Sequence, residues 1–304
     1  MAATPTPRRR VMTVVAVLAG LAGLALLGGN ALQAGGSSKR VASATGARAR
    51  HGHAPARRPR DAANPNVYPE ATESPRVRHL IALGKPIYCA GPHGDEVALT
   101  FDDGPGTYTR LAIAKLRKHH VKATFFIVGR NIEMLPAALR EERALGSVGD
   151  HTYTHPLLTS LSTGEARAQI VRTKHAVERA SGGPVFLFRP PYGGHDAAID
   201  SIVRSNGLLE ILWTVDSRDS LGADYAQIER NVIAGLAPGS IVLMHENRGQ
   251  TIRAMLSIFA ALQRKHLRAV SVPRLLRDDP PSDAQVRAGG LGCGAGVSAG
   301  RGGG

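Results

Sequence analysis

Residues 97–105 read Val-Ala-Leu-Thr-Phe-Asp-Asp-Gly-Pro, and their pattern decides how the rest of the chain is read. Residues 97–101 are a short apolar run of the kind that forms a buried strand. Asp102 and Asp103 stand at its carboxyl end, and Gly104-Pro105 turns the chain away. Working outward, similar runs recur at 124–128, 147–150, 186–189, 210–215, 240–244 and 268–271. Amphipathic segments separate them, at 109–119, 135–145, 165–180, 197–206, 225–234 and 251–265. The third helix opens on Ser162-Thr163-Gly164-Glu165, a capping box, and the fourth stops at Gly207. Strands alternating with helices imply an α/β fold with a parallel sheet, and seven such units favour a barrel over an open doubly wound sheet.

The ends of the 304-residue chain are poor core material. Arg8, Arg9 and Arg10 precede an uncharged stretch at 11–27 and then small residues, so 1–34 is expected to be an export signal. Seventeen apolar residues suit either a cleaved signal peptide or an uncleaved anchor, and both readings stay open. Residues 35–84 read as a disordered basic linker, 85–277 as the folded domain and 278–304 as a Gly-rich tail. The formal charge of +14 is concentrated at the start of the chain. Residues 1–80 hold twelve Lys/Arg against three Asp/Glu, and no nucleic-acid motif accompanies the milder excess that follows. A specific nucleic-acid partner is therefore not expected, whereas a membrane tether through 11–27 is compatible with the pattern. Cys89 lies near the start of the folded domain and Cys293 beyond its end; they either pair, as an oxidising compartment permits, or remain two thiols.

Five clusters carry candidate chemistry, and each has a plain alternative. Asp102-Asp103 repel unless a cation or proton separates them, but Asp-Gly-Pro also makes an ordinary turn. His151 and His155 flank Thr152-Tyr153-Thr154 and can present two rings to one ion, or form a hydrogen-bonded histidine pair. With Asp103 they make a two-His, one-carboxylate set with open positions, which suits hydrolysis. The loop at 188–194 can aim Arg189 and the Tyr192 backbone, or be a rigid surface turn. Trp213, near Asp216 and Asp219, is either core or a sugar-stacking surface, and His245 could be a satisfied core histidine. All five clusters end predicted strands, and in a parallel barrel those ends meet at one face.

Taken together and in this order, the clusters resemble the motif set of the polysaccharide deacetylase family, the NodB-homology domain of carbohydrate esterase family four. The resemblance runs from about Lys85 to Arg277 and implies a distorted (β/α)7 barrel with disordered N- and C-terminal extensions. It implies Asp102 as general base and Asp103, His151 and His155 as ligands of a divalent metal, zinc first, with cobalt, manganese or nickel as alternatives. It further implies that Arg189 orients Asp102, Tyr192 N–H helps hold the oxyanion, Asp219 tunes His245 as general acid, and Leu243 lines an acetyl pocket beside Trp213. Two residues depart from the family pattern: Ser220 where a second tryptophan is common, and Glu246 where aspartate is usual.

The implied activity is removal of N-acetyl groups from an acetylated amino-sugar polysaccharide by an exported, secreted or cell-surface monomer. An O-acetyl xylan esterase could use the same machinery. A non-catalytic carbohydrate-binding wall protein is the rival from another class, against which retention of Asp102, Asp103, His151, His155 and His245 argues.

Overall fold

The computed structural model describes residues 73–293. The 11–27 stretch, most of the expected linker and the Gly-rich end beyond Cys293 lie outside the described residues. Eight parallel strands form one curled sheet: β1 (Glu96–Gly104), β2 (Ala123–Ile127), β3 (Gly146–Asp150), β4 (Leu187–Phe188), β5 (Leu209–Glu210), β6 (Val215–Asp216), β7 (Ile241–His245) and β8 (Arg268–Val270). Their order is β5-β4-β3-β2-β1-β7-β6, and β8 pairs with the first half of β1. The helices are α1 (Pro75–Leu83), α2 (Thr109–Lys118), α3 (Ala138–Leu145), α4 (Thr163–Ser181), α5 (Ala197–Ser205), α6 (Tyr225–Gly235), α7 (Gly249–Arg264), α8 (Val272–Asp278) and α9 (Asp283–Ala288). This is the expected α/β barrel architecture.

Strand alternation explains how β1 can be buried throughout and still carry chemistry. Val97, Leu99 and Phe101 pack outward into the core shared with the helices, whereas Ala98 joins a second core inside the sheet. Thr100 and Asp102 continue that inner row toward the carboxyl end. The interior is therefore apolar at the bottom and polar at the top. On β2, Phe125 and Ile127 face the helices while Phe126 faces inward.

Two expectations are corrected. The fifth predicted strand, 210–215, is two short strands, β5 and β6, with a break between them. In that break the carbonyls of Ile211 and Leu212 accept hydrogen bonds from the buried Arg189 guanidinium, at 3.0 and 3.3 Å. The interior cation thus takes carbonyls that a regular strand would offer to a neighbouring strand. The domain also extends beyond 85–277 at both ends. The segment assigned to linker contains α1, with Pro75 at its start, Ser74 Oγ accepting from Val77 N at 3.2 Å, and Gly84 ending it in the left-handed region. Val77, Leu80 and Ile81 of α1 pack into the inner core with Leu275 and Leu276 of α8. The presumed tail contains α9, which buries Val286. A low density of large apolar residues hid both helices in the sequence, because each needs only one to three anchors. Cys89 and Cys293 are joined by a disulfide, with Cα atoms 5.9 Å apart.

A buried acidic pair lies where α3 meets the end of β7. Glu142 and Glu246 are both fully buried, and their carboxyls face one another. Glu246 Oε2 accepts from Thr109 Oγ1 at 2.8 Å, while Glu142 has no other donor among the described residues. A hydrogen bond between the two carboxyls therefore requires a shared proton. Gly104 makes room for this pair: a Cβ at that position would lie 1.2 Å from Glu246 Oε1. Burial, followed by the charge of the partner, pushes Glu142 well up, and burial also raises Glu246 despite its hydrogen bonds.

Two stability predictions follow from these contacts. Leu80→Ala should cost about 2–5 kcal/mol in urea unfolding if α1 belongs to the cooperative domain; an unchanged midpoint would show that it does not. Raised carboxyl pKa values favour the fold below the unfolded value of 4.5 and lose that contribution as pH climbs through about 8 for Glu246. Glu142→Gln should accordingly gain Tm relative to wild type as pH rises across that window, whereas a constant difference between the two proteins would contradict the shared proton.

Candidate active site

At the carboxyl ends of β1, β3, β4, β6 and β7 the structure brings together candidate residues of all five clusters. Asp102 ends the inner row of β1 and is nearly fully buried. Its Oδ1 accepts from Arg189 Nη1 at 2.8 Å, and the same nitrogen donates to Thr100 Oγ1 at 2.7 Å. Arg189 has no exposed surface, and its guanidinium lies 4.2 Å from the Phe126 ring centroid and 5.6 Å from that of Trp213. With four hydrogen bonds and two aromatic neighbours it cannot swing, so Asp102 is fixed too.

Asp103 points elsewhere because its backbone adopts φ 69°, a left-handed conformation that costs a non-glycine residue on the order of 1 kcal/mol or more. Its Oδ1 has no hydrogen-bond donor among the described residues, while Oδ2 accepts from Asn247 Nδ2 at 3.2 Å. His155 Nε2 lies 3.3 Å and His151 Nε2 3.7 Å from that unpartnered oxygen. Burial alone would raise the Asp103 carboxyl, but His151, His245, His155 and the Asn247 bond together hold it below the ordinary range.

The two histidines are aimed by their surroundings. His151 Nδ1 bonds the Arg189 carbonyl at 2.7 Å, which places its proton there and leaves Nε2 as the free lone pair. His155 follows a loop in which Thr152 and His155 both have positive φ, at 65° and 62°. Thr152 N donates to Asp150 Oδ1 at 2.8 Å, and the backbone N–H groups of Tyr153 and Thr154 both donate to Gln169 Oε1. The rings meet edge to face with centroids 4.8 Å apart. Burial, and then the neighbouring His151, lower the His155 pKa, which favours the neutral ligating form.

These three residues fit a divalent ion. Their ligand atoms lie within 4.8 Å of one another, one carboxylate oxygen is orphaned, and both imidazoles present Nε2 to it. Asp102 is the neighbouring carboxylate: Arg189 takes its Oδ1, and its Oδ2 lies 3.7 Å from His151 Nε2, beside this cluster.

On the other side stands His245, at the end of β7. Its Nδ1 bonds Asp219 Oδ1 at 2.6 Å, and Asp219 Oδ2 accepts from His245 N and Thr251 Oγ1. Burial alone would lower the His245 pKa, but the Asp219 bond and charge, with smaller help from Asp102 and Asp103, raise it to about 9. Tyr192 has φ 61° and an exposed ring that packs edge-on against His155, with its hydroxyl 3.3 Å from His155 Nδ1. Trp213 is half-buried: it packs against the inner core and covers Gly193, where an added Cβ would lie 3.0 Å from the indole. It therefore serves both the core and the rim. Leu243 shares the inward row of β7 with Ile241 and His245 and is nearly buried. Ser220 is exposed.

The sequence reading missed the groups that support these residues. Asn247 and Asn131 hold the side chain and the carbonyl of Asp103. Thr100, Asp150, Gln169 and Thr251 brace Arg189, the histidine loop and Asp219. Asn247 lay two residues beyond His245 and could have been read with it; Gln169 in mid-helix carried no local signal.

The family model described as polysaccharide deacetylase matches residues 90–211. A peptidoglycan-N-acetylglucosamine deacetylase of Bacillus cereus is 35% identical over 195 residues, covering 62% of this chain and 71% of that protein. Among solved structures, a family 4 carbohydrate esterase from Streptomyces lividans in complex with acetate is 36% identical with a TM-score of 0.55, over 60% of this chain and 92% of that one. A family 4 pseudoenzyme from Bacillus anthracis is 32% identical with a TM-score of 0.59, over 63% of this chain and 68% of that one. Shared fold does not by itself separate active from inactive relatives, so activity is to be argued from the site. The barrel, the ordered motif residues at its carboxyl ends and these likenesses have one common explanation: the chain belongs to the polysaccharide deacetylase family.

Proposed function

We propose that this chain is an exported, metal-dependent hydrolase that removes N-acetyl groups from an N-acetylglucosamine-containing polysaccharide of the peptidoglycan or chitin type. The observation that carries the reading is the division of labour between adjacent carboxylates. Asp102 is saturated on one side by Arg189, and Asp103 offers an unpartnered oxygen to two imidazoles. A divalent ion held by Asp103, His151 and His155, zinc by preference, would polarise the acetyl carbonyl and make a water acidic enough to attack near neutral pH.

The protein groups then have separate tasks. Asp102 accepts the proton of the attacking water, and its fixed position keeps it within reach. The Tyr192 backbone N–H is assigned to the developing oxyanion. An amine is a poor leaving group, so the nitrogen must be protonated as the C–N bond breaks. His245, kept protonated at neutral pH by Asp219, donates that proton. Acetate and a free amino sugar result. Leu243 would border the acetyl methyl, and Trp213 and Tyr192 would offer surface to the sugar ring.

Export is supported by the arginine-flanked apolar stretch at 11–27 and by the Cys89–Cys293 disulfide, which belongs in an oxidising compartment.

Purified enzyme loaded with single metals and supplied with peptidoglycan, chitooligosaccharides or acetylated xylan should release acetate chiefly from the N-acetylated polymers and lose activity to a chelator. Release from xylan alone would establish the esterase reading instead. Asp102→Asn should lower kcat by about 10²–10⁴-fold with the fold intact; undiminished activity would remove Asp102 from the mechanism. Because His245 must be protonated, activity should fall as pH rises through about 9. Asp219→Asn should move that alkaline limb to lower pH, and an unmoved limb would separate it from His245.

A further inference from the structure

Outside the catalytic cluster, one other group of potential ligands converges among the described residues: His195, Asp200 and Glu210. Glu210 ends β5 with its side chain 3% exposed, and neither carboxyl oxygen has a hydrogen-bond donor among the described residues. A buried carboxylate left unpaired has lost its hydration with nothing in exchange. Lys85 and Arg204 line the adjoining recess, yet neither lies within ion-pair distance of Glu210. Instead the carboxyl faces His195 Nδ1 at 3.7 Å, and that nitrogen lies 2.9 Å from Asp200 Oδ1.

We propose that His195, Asp200 and Glu210 form a second divalent-cation site, separate from the catalytic one, that ties the loop leading from Tyr192 into α5 to the edge strand β5. Zinc bonds of about 2.0–2.1 Å in a tetrahedron place ligand atoms about 3.3 Å apart. The 3.7 Å from His195 Nδ1 to Glu210 Oε1 equals the separation of His151 from Asp103, and the 2.9 Å hydrogen bond from the same nitrogen to Asp200 Oδ1 would open by about 0.4 Å to admit the ion. One imidazole nitrogen with two carboxylates is a donor set for zinc, manganese or nickel. His195 and Asp200 side chains are 25% and 12% exposed, so an ion can enter from solvent while Glu210 forms the buried floor. The surrounding field is negative as well. Asp200 and Asp196 add to burial in pushing the Glu210 carboxyl well up, and burial with the charges of Glu210 and Asp200 raises Tyr88. A cation would relieve all of these groups at once. His195 is three residues beyond Tyr192, so the site would anchor one end of the active-site rim.

The test compares the full-length chain with Glu210→Gln and His195→Ala after dialysis against zinc. Wild type should hold about two ions per chain and each variant about one. The readout is the difference of about one ion between wild type and variant, which does not depend on whether the Asp103 cluster loads. In chelator, Glu210→Gln should match or exceed wild-type Tm, because it removes a buried carboxyl with no partner. Added zinc should then raise wild-type Tm more than that of either variant. Equal zinc content in all three proteins, or an equal zinc-dependent Tm rise, would overturn the proposal.

Discussion

The site depends on one buried cation. Arg189 lies inside the sheet with no exposed surface, and each of its polar contacts has a structural consequence. Two of its nitrogens take the carbonyls of Ile211 and Leu212, in the break between β5 and β6. Another bonds Thr100 and Asp102, and the residue's own carbonyl fixes the tautomer of His151. A guanidinium so deeply desolvated needs a carboxylate beside it, and Asp102 supplies that charge. The ion pair thus makes two adjacent aspartates chemically different: one is paired and held, and the other is left with an oxygen that has no hydrogen-bond donor among the described residues.

The rest of the fold provides the walls for this arrangement. Because β1 is flanked by β2 and β7, and by β8 along its first half, its inner row sits at the centre of the sheet. Phe126 and Trp213 shield the guanidinium, and the α1–α8 layer closes the apolar bottom below Ala98. The backbone at Asp103, Thr152, His155 and Tyr192 is left-handed, so four residues around the mouth hold conformations that only the surrounding bonds sustain. Gln169, Asp150 and Asn131 supply such bonds from α4, β3 and the turn after β2. On the opposite wall, Asp219 binds both the ring and the backbone of His245.

Much of this was legible in the sequence because it is local. Strand runs, the Ser162–Glu165 capping box and the polar residues at strand ends are read over a few positions, and the structure has them where the pattern places them. What the sequence concealed is what long-range contact decides. Residues 210–215 carry a continuous strand pattern, and only the approach of Arg189 from β4 interrupts it. The Pro75–Leu83 segment is too sparse in apolar residues to stand out, yet Val77, Leu80 and Ile81 meet a core assembled from distant strands. Glu246 stands in the sequence as a departure from the family motif, and it is buried against Glu142, a pairing that no local pattern encodes. Asn247 and Gln169 matter only through partners distant in sequence.

The unequal treatment of Asp102 and Asp103 is the central claim, and anomalous diffraction from zinc-loaded crystals addresses it directly. The account predicts a density peak bounded by Asp103, His151 and His155, with Asp102 still bonded to Arg189 and outside the coordination sphere. A peak ligated by Asp102, or none within this cluster at saturating zinc, would contradict it.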